Sequence, residues 1–296
     1  MYARYGLNQS PFYKLNRKKD LLRLLRTNQS GIRRIKNAKV LYAKSVENGR
    51  EIEKPRDDLK RLQKRIEDLL KRIELPDFIH GPAKGKSYIT NASVHVGASE
   101  IRCLDIARYF QSTPSKKVFS FYEGTLHCSR DVAGILCMLT THKGRLPTGS
   151  PSSPLVSYFA HIEMWNYINA LVKRYGCTLS VYIDDVTISG DRVPRCLKHE
   201  VKALLNQYGL KSKKSKEKYY RQGNSAEITG IIVGADKSLN VPRRQHRKAH
   251  ETRNSLNLVE GEYEGLSLAR KLQGYEAQKA QVENFPTRAS YAVVDS

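Results

Sequence analysis

Tryptophan occurs once in this chain of 296 residues, at Trp165, and cysteine only five times. Cys103, Cys128, Cys137, Cys177 and Cys196 are scattered, with no Cys-x-x-Cys pair. That excludes a disulfide-built scaffold and a cysteine zinc knuckle, and fits buried thiols in a reducing compartment. No apolar run of roughly 18 residues occurs, and no apolar signal segment opens the chain. A membrane partner is therefore not expected, and the expected location is the cytoplasm. Acidic residues are scarce: 29 Asp and Glu stand against 52 Lys and Arg, for a formal net charge of +23. Such a deficit of negative charge points to a polyanionic partner, nucleic acid first. Residues 1–80 alone carry 21 basic and 10 acidic residues.

What is present has a clear order. Leu21, Leu22, Leu24 and Leu25 suggest a short helix, followed by the positive strip Arg33, Arg34, Lys36 and Lys39. Residues 57–74 carry Leu59, Leu62, Ile66, Leu69, Leu70 and Ile73 at helical spacing, with Asp57 and Asp58 at the start and Pro76 beyond the end. A strand is expected over 101–106, then helical stretches at about 115–124 and 129–141. One long helix is expected over 155–175, closed by Gly176. Short strands at 178–182 and 186–189 flank Asp184-Asp185. A helix at about 194–208 precedes a second hairpin, expected from 226–233 and 238–241. From about 242 the chain reads as helical and basic. His246 and His250 stand at a spacing that suits zinc, but Arg243, Arg244, Arg247 and Lys248 around them favour nucleic-acid contact.

Two features carry chemistry. Residues 146–154 read Leu-Pro-Thr-Gly-Ser-Pro-Ser-Ser-Pro, and Tyr182-Ile183-Asp184-Asp185 follows. Adjacent carboxylates in a tight turn repel one another, and divalent metal relieves that cost. Asp105, at the end of a separate strand, is the third carboxylate that could converge on the same ions. Mg²⁺ prefers hard oxygen ligands and keeps several waters, so two or three carboxylates suffice.

These blocks, in this order, resemble reverse transcriptases, most closely the bacterial retron type, over about residues 40–275. The resemblance implies an α+β right-hand polymerase with fingers, a palm of antiparallel sheet plus helices, and a small helical thumb. It divides the chain into a basic N-terminal extension (1–40), fingers (41–100), palm (101–235, with a fingers segment at about 112–145 interleaved) and thumb (236–296). Asp105, Asp184 and Asp185 then become the catalytic carboxylates. They hold two Mg²⁺ ions, with Mn²⁺ as a substitute, and Ile106 offers its backbone carbonyl. Arg50, Phe110, Thr148, Gly149 and Lys216 are expected at the incoming dNTP, with Lys44 a weaker candidate. Phe110 is the aromatic gate against a ribose 2′-OH. The commoner family residue at Thr148 is Gln. Asn91-Ala92-Ser93-Val94-His95 matches the retron Asn-Ala-x-x-His element, and Ile228-Thr229-Gly230 resembles its Val-Thr-Gly element. Asn91, His95 and Thr229, with Arg243, Arg244 and Arg247, are accordingly expected at RNA.

The implied activity is copying of a cognate structured non-coding RNA into RNA-linked DNA, in antiphage defence beside a separate effector protein. About 55 residues follow the second hairpin, too few for an RNase H domain. A group II intron-like or other bacterial reverse transcriptase, and a non-catalytic RNA-binding scaffold, are the alternatives.

Overall fold

The structure is a computed structural model and describes residues 4–47, 49–259 and 261–286. Parts of the expected extension (1–3) and thumb (260 and 287–296) lie outside the described residues. The architecture is α+β. Its centre is a four-stranded antiparallel sheet made of β3 (Glu100–Asp105), β4 (Thr178–Tyr182), β5 (Asp185–Gly190) and β6 (Lys218–Arg221), in the order β4-β5-β3-β6. An earlier hairpin, β1 (Tyr42–Glu47) with β2 (Arg50–Pro55), stands apart. A three-stranded meander of β7 (Ala226–Ile228), β8 (Ile231–Val233) and β9 (Leu239–Asn240) follows the sheet. Two helices, Arg243–Leu258 and Glu262–Glu283, close the described chain. No described helix is long and apolar enough to cross a membrane.

Apolar periodicity explains most of this. The helix Asp57–Leu70 buries Leu59, Leu62, Ile66, Leu69 and Leu70 on one stripe and leaves Lys60, Arg61 and Lys64 exposed. That stripe joins a large core in which Phe121 stacks on Phe159 with rings 4.9 Å apart, and Trp165 donates to the Tyr109 hydroxyl at 3.2 Å. A second core lies under the meander, where Ile89, Ala92 and Ile101 meet Ile228, Ile231, Leu239 and Val282.

Four expectations need correction. The 57–74 helix ends at Leu70, because the backbone of Arg72 and Glu74 bonds to Tyr5 instead. The single helix over 155–175 is two, Ser153–Ala160 and Ile162–Arg174, broken at His161. There the imidazole turns inward to Thr113, a tertiary contact that periodicity does not encode. Residues 226–233 are not one strand. Thr229 and Gly230 both have positive φ, 46° and 81°, and fold the run back on itself as β7 and β8. That is the geometry of a type I′ hairpin turn. The thiols are not all buried either: all five are free, and Cys196 is exposed.

Candidate active site

β3 ends on Asp105 and β5 begins on Asp185, and antiparallel pairing sets the two residues directly opposite. The chain enters β5 through Ile183 and Asp184. Ile183 has left-handed backbone, φ 61°. A β-branched side chain is strained there, so the surroundings must impose the conformation. They do so by close approach. His80 donates its N–H to the Val181 carbonyl at 2.8 Å, and a Cβ added at Gly81 would sit 2.6 Å from the Ile183 nitrogen. From the other side the Ile106 N–H donates to the Asp184 carbonyl at 2.9 Å. The turn is thus fixed to the strand that carries Asp105.

Crowding shows in the electrostatics. Burial first, then Asp105, raises Asp184 above the ordinary carboxylate range. Asp185 is pushed up to about 6 by burial, then by Asp184 and Asp105. Lys216 and Arg50 oppose both shifts by less. Among the described residues no three His, Cys, Asp or Glu side chains already stand grouped as a metal cage. Instead the Lys216 ammonium lies on the Asp105 carboxylate. An all-oxygen donor set whose members repel one another suits a hard divalent cation. Asp105, Asp184 and Asp185 therefore fit such an ion, provided Lys216 swings away from Asp105.

A cleft of about 410 Å³ opens beside these carboxylates, lined by Asp105, Asp185, Tyr182, Lys216, Lys218 and Thr229 among others. Phe110 is half-buried against Tyr109, their rings 5.8 Å apart. Arg50 is exposed at the start of β2, near enough for its charge to act on both Asp184 and Asp185. Lys44 is turned aside, paired to Glu51 across the hairpin.

The 146–154 loop is clipped to β2. The Thr148 hydroxyl donates to the Glu51 carbonyl at 3.1 Å and accepts the Glu53 N–H at 3.1 Å. Gly149 N–H donates to the Glu53 carbonyl at 3.2 Å, and a Cβ at Gly149 would lie 2.6 Å from that oxygen. Glycine is thus required at 149 for contact with the hairpin. Thr148 thus commits its hydroxyl proton and one lone pair to the clasp with β2. Buried Gln63 completes the attachment: its amide donates to the Tyr42 hydroxyl and the Leu139 carbonyl, and accepts from Ser150, at 2.7–2.8 Å.

The residues expected at RNA divide. His95 is fully buried, with Nδ1 2.7 Å from the Ser189 hydroxyl and Nε2 2.7 Å from that of Ser180. It ties β4 to β5, and neither ring nitrogen is left for RNA. Asn91 is also fully buried and donates to the Thr229 hydroxyl at 3.4 Å, while Thr229 donates to the Tyr88 carbonyl. The two retron-like elements therefore touch each other, and only Thr229 reaches the cleft. Arg243 and Arg247 are exposed on the first C-terminal helix, and Arg244 bonds Glu227 at 2.6 Å beside the cleft.

Sequence reasoning missed the β1–β2 hairpin, the Gln63 hub and Lys218 at the cleft wall. The Asn48-Gly49 dipeptide between two short polar-apolar runs was the available hairpin signal.

Paired sheet-end carboxylates and a tight acidic turn, beside a cleft lined by acids and lysines alike, are arranged as in the palm of a polymerase-type fold. Residues 35–233 match the reverse transcriptase (RNA-dependent DNA polymerase) family, and the chain belongs to it. Its curated relatives include the retron Se72 reverse transcriptase of Salmonella heidelberg, 32% identical over 62% of this chain and 51% of the relative. The retron Mx65 reverse transcriptase of Myxococcus xanthus is 28% identical over 66% of this chain and 50% of the relative. The retron-type resemblance is thereby borne out, although the chain spans about half the length of these relatives. Among solved structures, a foamy viral protease-reverse transcriptase in complex with double-stranded DNA has a TM-score of 0.42 at 15% identity, covering 73% of this chain and 34% of that one.

Proposed function

We propose that this chain is the RNA-directed DNA polymerase of a retron. It copies a cognate structured non-coding RNA into single-stranded, RNA-linked DNA from dNTPs. The observation that carries the reading is the cross-strand pair Asp105 and Asp185 with Asp184 in the adjoining turn. These carboxylates hold two Mg²⁺ ions, or Mn²⁺ in their place, and the Ile106 carbonyl is a further oxygen donor. Divalent ions held there would supply Lewis-acid activation of the primer hydroxyl and charge stabilisation at the leaving pyrophosphate. Arg50 and Lys216 meet the triphosphate. Gly149 lets the loop backbone approach the nucleotide, and Phe110 closes the space a 2′-OH would need. Thr229, Arg243, Arg244 and Arg247 face nucleic acid. The division into extension, fingers, palm and thumb follows the family pattern at 1–40, 41–100, 101–235 and 236–296. The setting is cytoplasmic antiphage defence beside a separate effector protein.

The Lys216–Asp105 contact favours one rival, an RNA-binding scaffold in which the lysine takes the place of metal. The experiment that separates them is a denaturing gel of nucleic acid co-purified with protein expressed from its native locus. A discrete DNA that shortens with RNase and is absent from Asp185→Asn supports the polymerase. RNA alone from both proteins, with no Mg²⁺-dependent extension of an added primer, supports the scaffold.

A further inference from the structure

Five lysines crowd the chain beyond the helix Arg195–Gln207: Lys211, Lys213, Lys214, Lys216 and Lys218. Four are exposed, and Lys216 alone is half-buried, its ammonium on Asp105. Charge does not make that choice, because all five carry the same one. The fold around them must make it.

Backbone fixes both ends of the segment. The Ala107 N–H donates to the Lys211 carbonyl and the Lys213 N–H to the Asp105 carbonyl, both at 2.8 Å. Further on, Lys218 pairs with Cys103 as β6 joins β3. Between these anchors lie the 3₁₀ turn Lys214–Lys216 and then Glu217, in extended backbone. Successive side chains along extended backbone point to opposite sides. Glu217 turns to the helix Arg195–Gln207, and Lys216 turns to Asp105.

Three donors hold Glu217 on its side. Lys202 and Ser212 donate to one carboxylate oxygen at 2.5 and 3.0 Å, and Lys198 donates to the other at 3.3 Å. Lys198 and Lys202 stand four apart, on one face of their helix. Each of the three charged side chains is less than a quarter exposed. Burial raises the Glu217 carboxyl, and the bonds from Lys202, Ser212 and Lys198 outweigh it, holding the pKa down at about 2. A charged carboxylate gripped from three directions keeps one geometry, unlike an exposed and screened ion pair.

We propose that Glu217 is a positioning residue: pinned by Lys198, Lys202 and Ser212, it turns Lys216, of the five lysines, toward Asp105 and sets where that ammonium stands when the triphosphate arrives. The inference rests on the reading of Lys216 as a triphosphate contact. Loosening Glu217 lets the ammonium drift from Asp105. The triphosphate then loses a fixed partner, and Asp105 loses a competitor to a divalent ion.

The test compares the full chain as wild type, Glu217→Gln, Lys216→Ala and the double variant. Glutamine keeps the shape of Glu217 and gives up its charge. In primer extension, the KM for dNTP should rise about fivefold or more in each single variant, with the double variant within about twofold of Lys216→Ala. Action through Lys216 requires that non-additivity, whereas a general structural defect would multiply the two losses. Mn²⁺ affinity of the metal-free proteins, read by electron paramagnetic resonance, follows the same contact without turnover and decides if no primer is extended. Loss of a carboxylate by itself weakens a cation site. Mn²⁺ binding about threefold or more tighter in Glu217→Gln, as in Lys216→Ala, therefore reports a released lysine. Wild-type KM in Glu217→Gln beside a raised KM in Lys216→Ala overturns the positioning role and leaves Lys216 at the triphosphate. Wild-type KM in both single variants removes Lys216 from the triphosphate, and the inference with it. A double variant showing the product of both losses, or Mn²⁺ bound no tighter by Glu217→Gln than by wild type, also overturns the proposal.

Discussion

The Thr148 hydroxyl accepts the backbone N–H of Glu53 at 3.1 Å across 95 positions of sequence, and so binds the loop beside the Ile183–Asp184 turn to the hairpin that carries Arg50. Thr148→Val keeps the shape and removes both hydrogen bonds, a loss of about 1–3 kcal/mol in clasp stability. The expected outcome in steady-state primer extension is a KM for dNTP raised about tenfold with kcat within about twofold. An unchanged KM would show that the hairpin is held without the threonine.

Asp184→Asn and Asp185→Asn should each abolish synthesis while RNA affinity, measured by filter binding, stays within about twofold. Asp185→Asn has a second expected effect. The folded pKa of Asp185 lies above its ordinary value, at about 6. The folded state therefore binds the proton more tightly, and stability is lost as pH rises through 6. The neutral amide removes that loss. Without metal, its melting temperature at pH 8 should exceed that of wild type, by a stability difference on the order of 2 kcal/mol. Added Mg²⁺ should close the gap by stabilising wild type alone.

Three buried histidines give the opposite pH dependence. His95 and His161 are held down at about 3 and His80 at about 4, each mainly by burial. A folded pKa below the unfolded value means stability is present above pH 6.5 and lost as pH falls toward 3–4. Three such groups outweigh the single gain at Asp185. Urea midpoints should fall steeply between pH 6 and pH 4.5, by up to about 3 kcal/mol per pH unit in unfolding free energy once the opposing gain at Asp185 is subtracted. A flat profile would contradict the burial of these rings.

His95→Leu should lower stability by about 2–4 kcal/mol, since Ser180 and Ser189 lose their buried partner. RNA affinity per folded molecule should not change. A specific affinity loss at full stability would restore His95 to the RNA surface.

Phe110→Ala should admit ribonucleotides. The ratio of dNTP to rNTP incorporation is the measurement, and an unchanged ratio would make Phe110 a packing residue only.

Much of the central sheet was legible. β3, β4 and β5 are short apolar runs ended by charged or turn residues, and the site carboxylates fall at those ends because strand ends meet solvent. Features set by distant partners were not legible. The spacing of Leu155, Phe159, Ile162, Trp165 and Ile168 runs on unbroken through His161, and only Thr113, 48 positions away, shows why the helix stops. The Thr229–Gly230 turn hides within an apolar run. His95 lies in a motif that resembles an RNA-contact element, yet its serine partners arrive from β4 and β5, 85 and 94 positions later.

Ile183 places a β-branched residue where the backbone favours glycine, in the turn that aims Asp184 and Asp185. Substitution by glycine would relax that backbone, a gain on the order of 1 kcal/mol set against the flexibility it introduces. A screen selecting thermal tolerance alone would therefore be drawn to this position and would loosen the aim of the carboxylates. Directed evolution of this enzyme class for hotter reactions should hold residue 183 constant and look for its gains elsewhere.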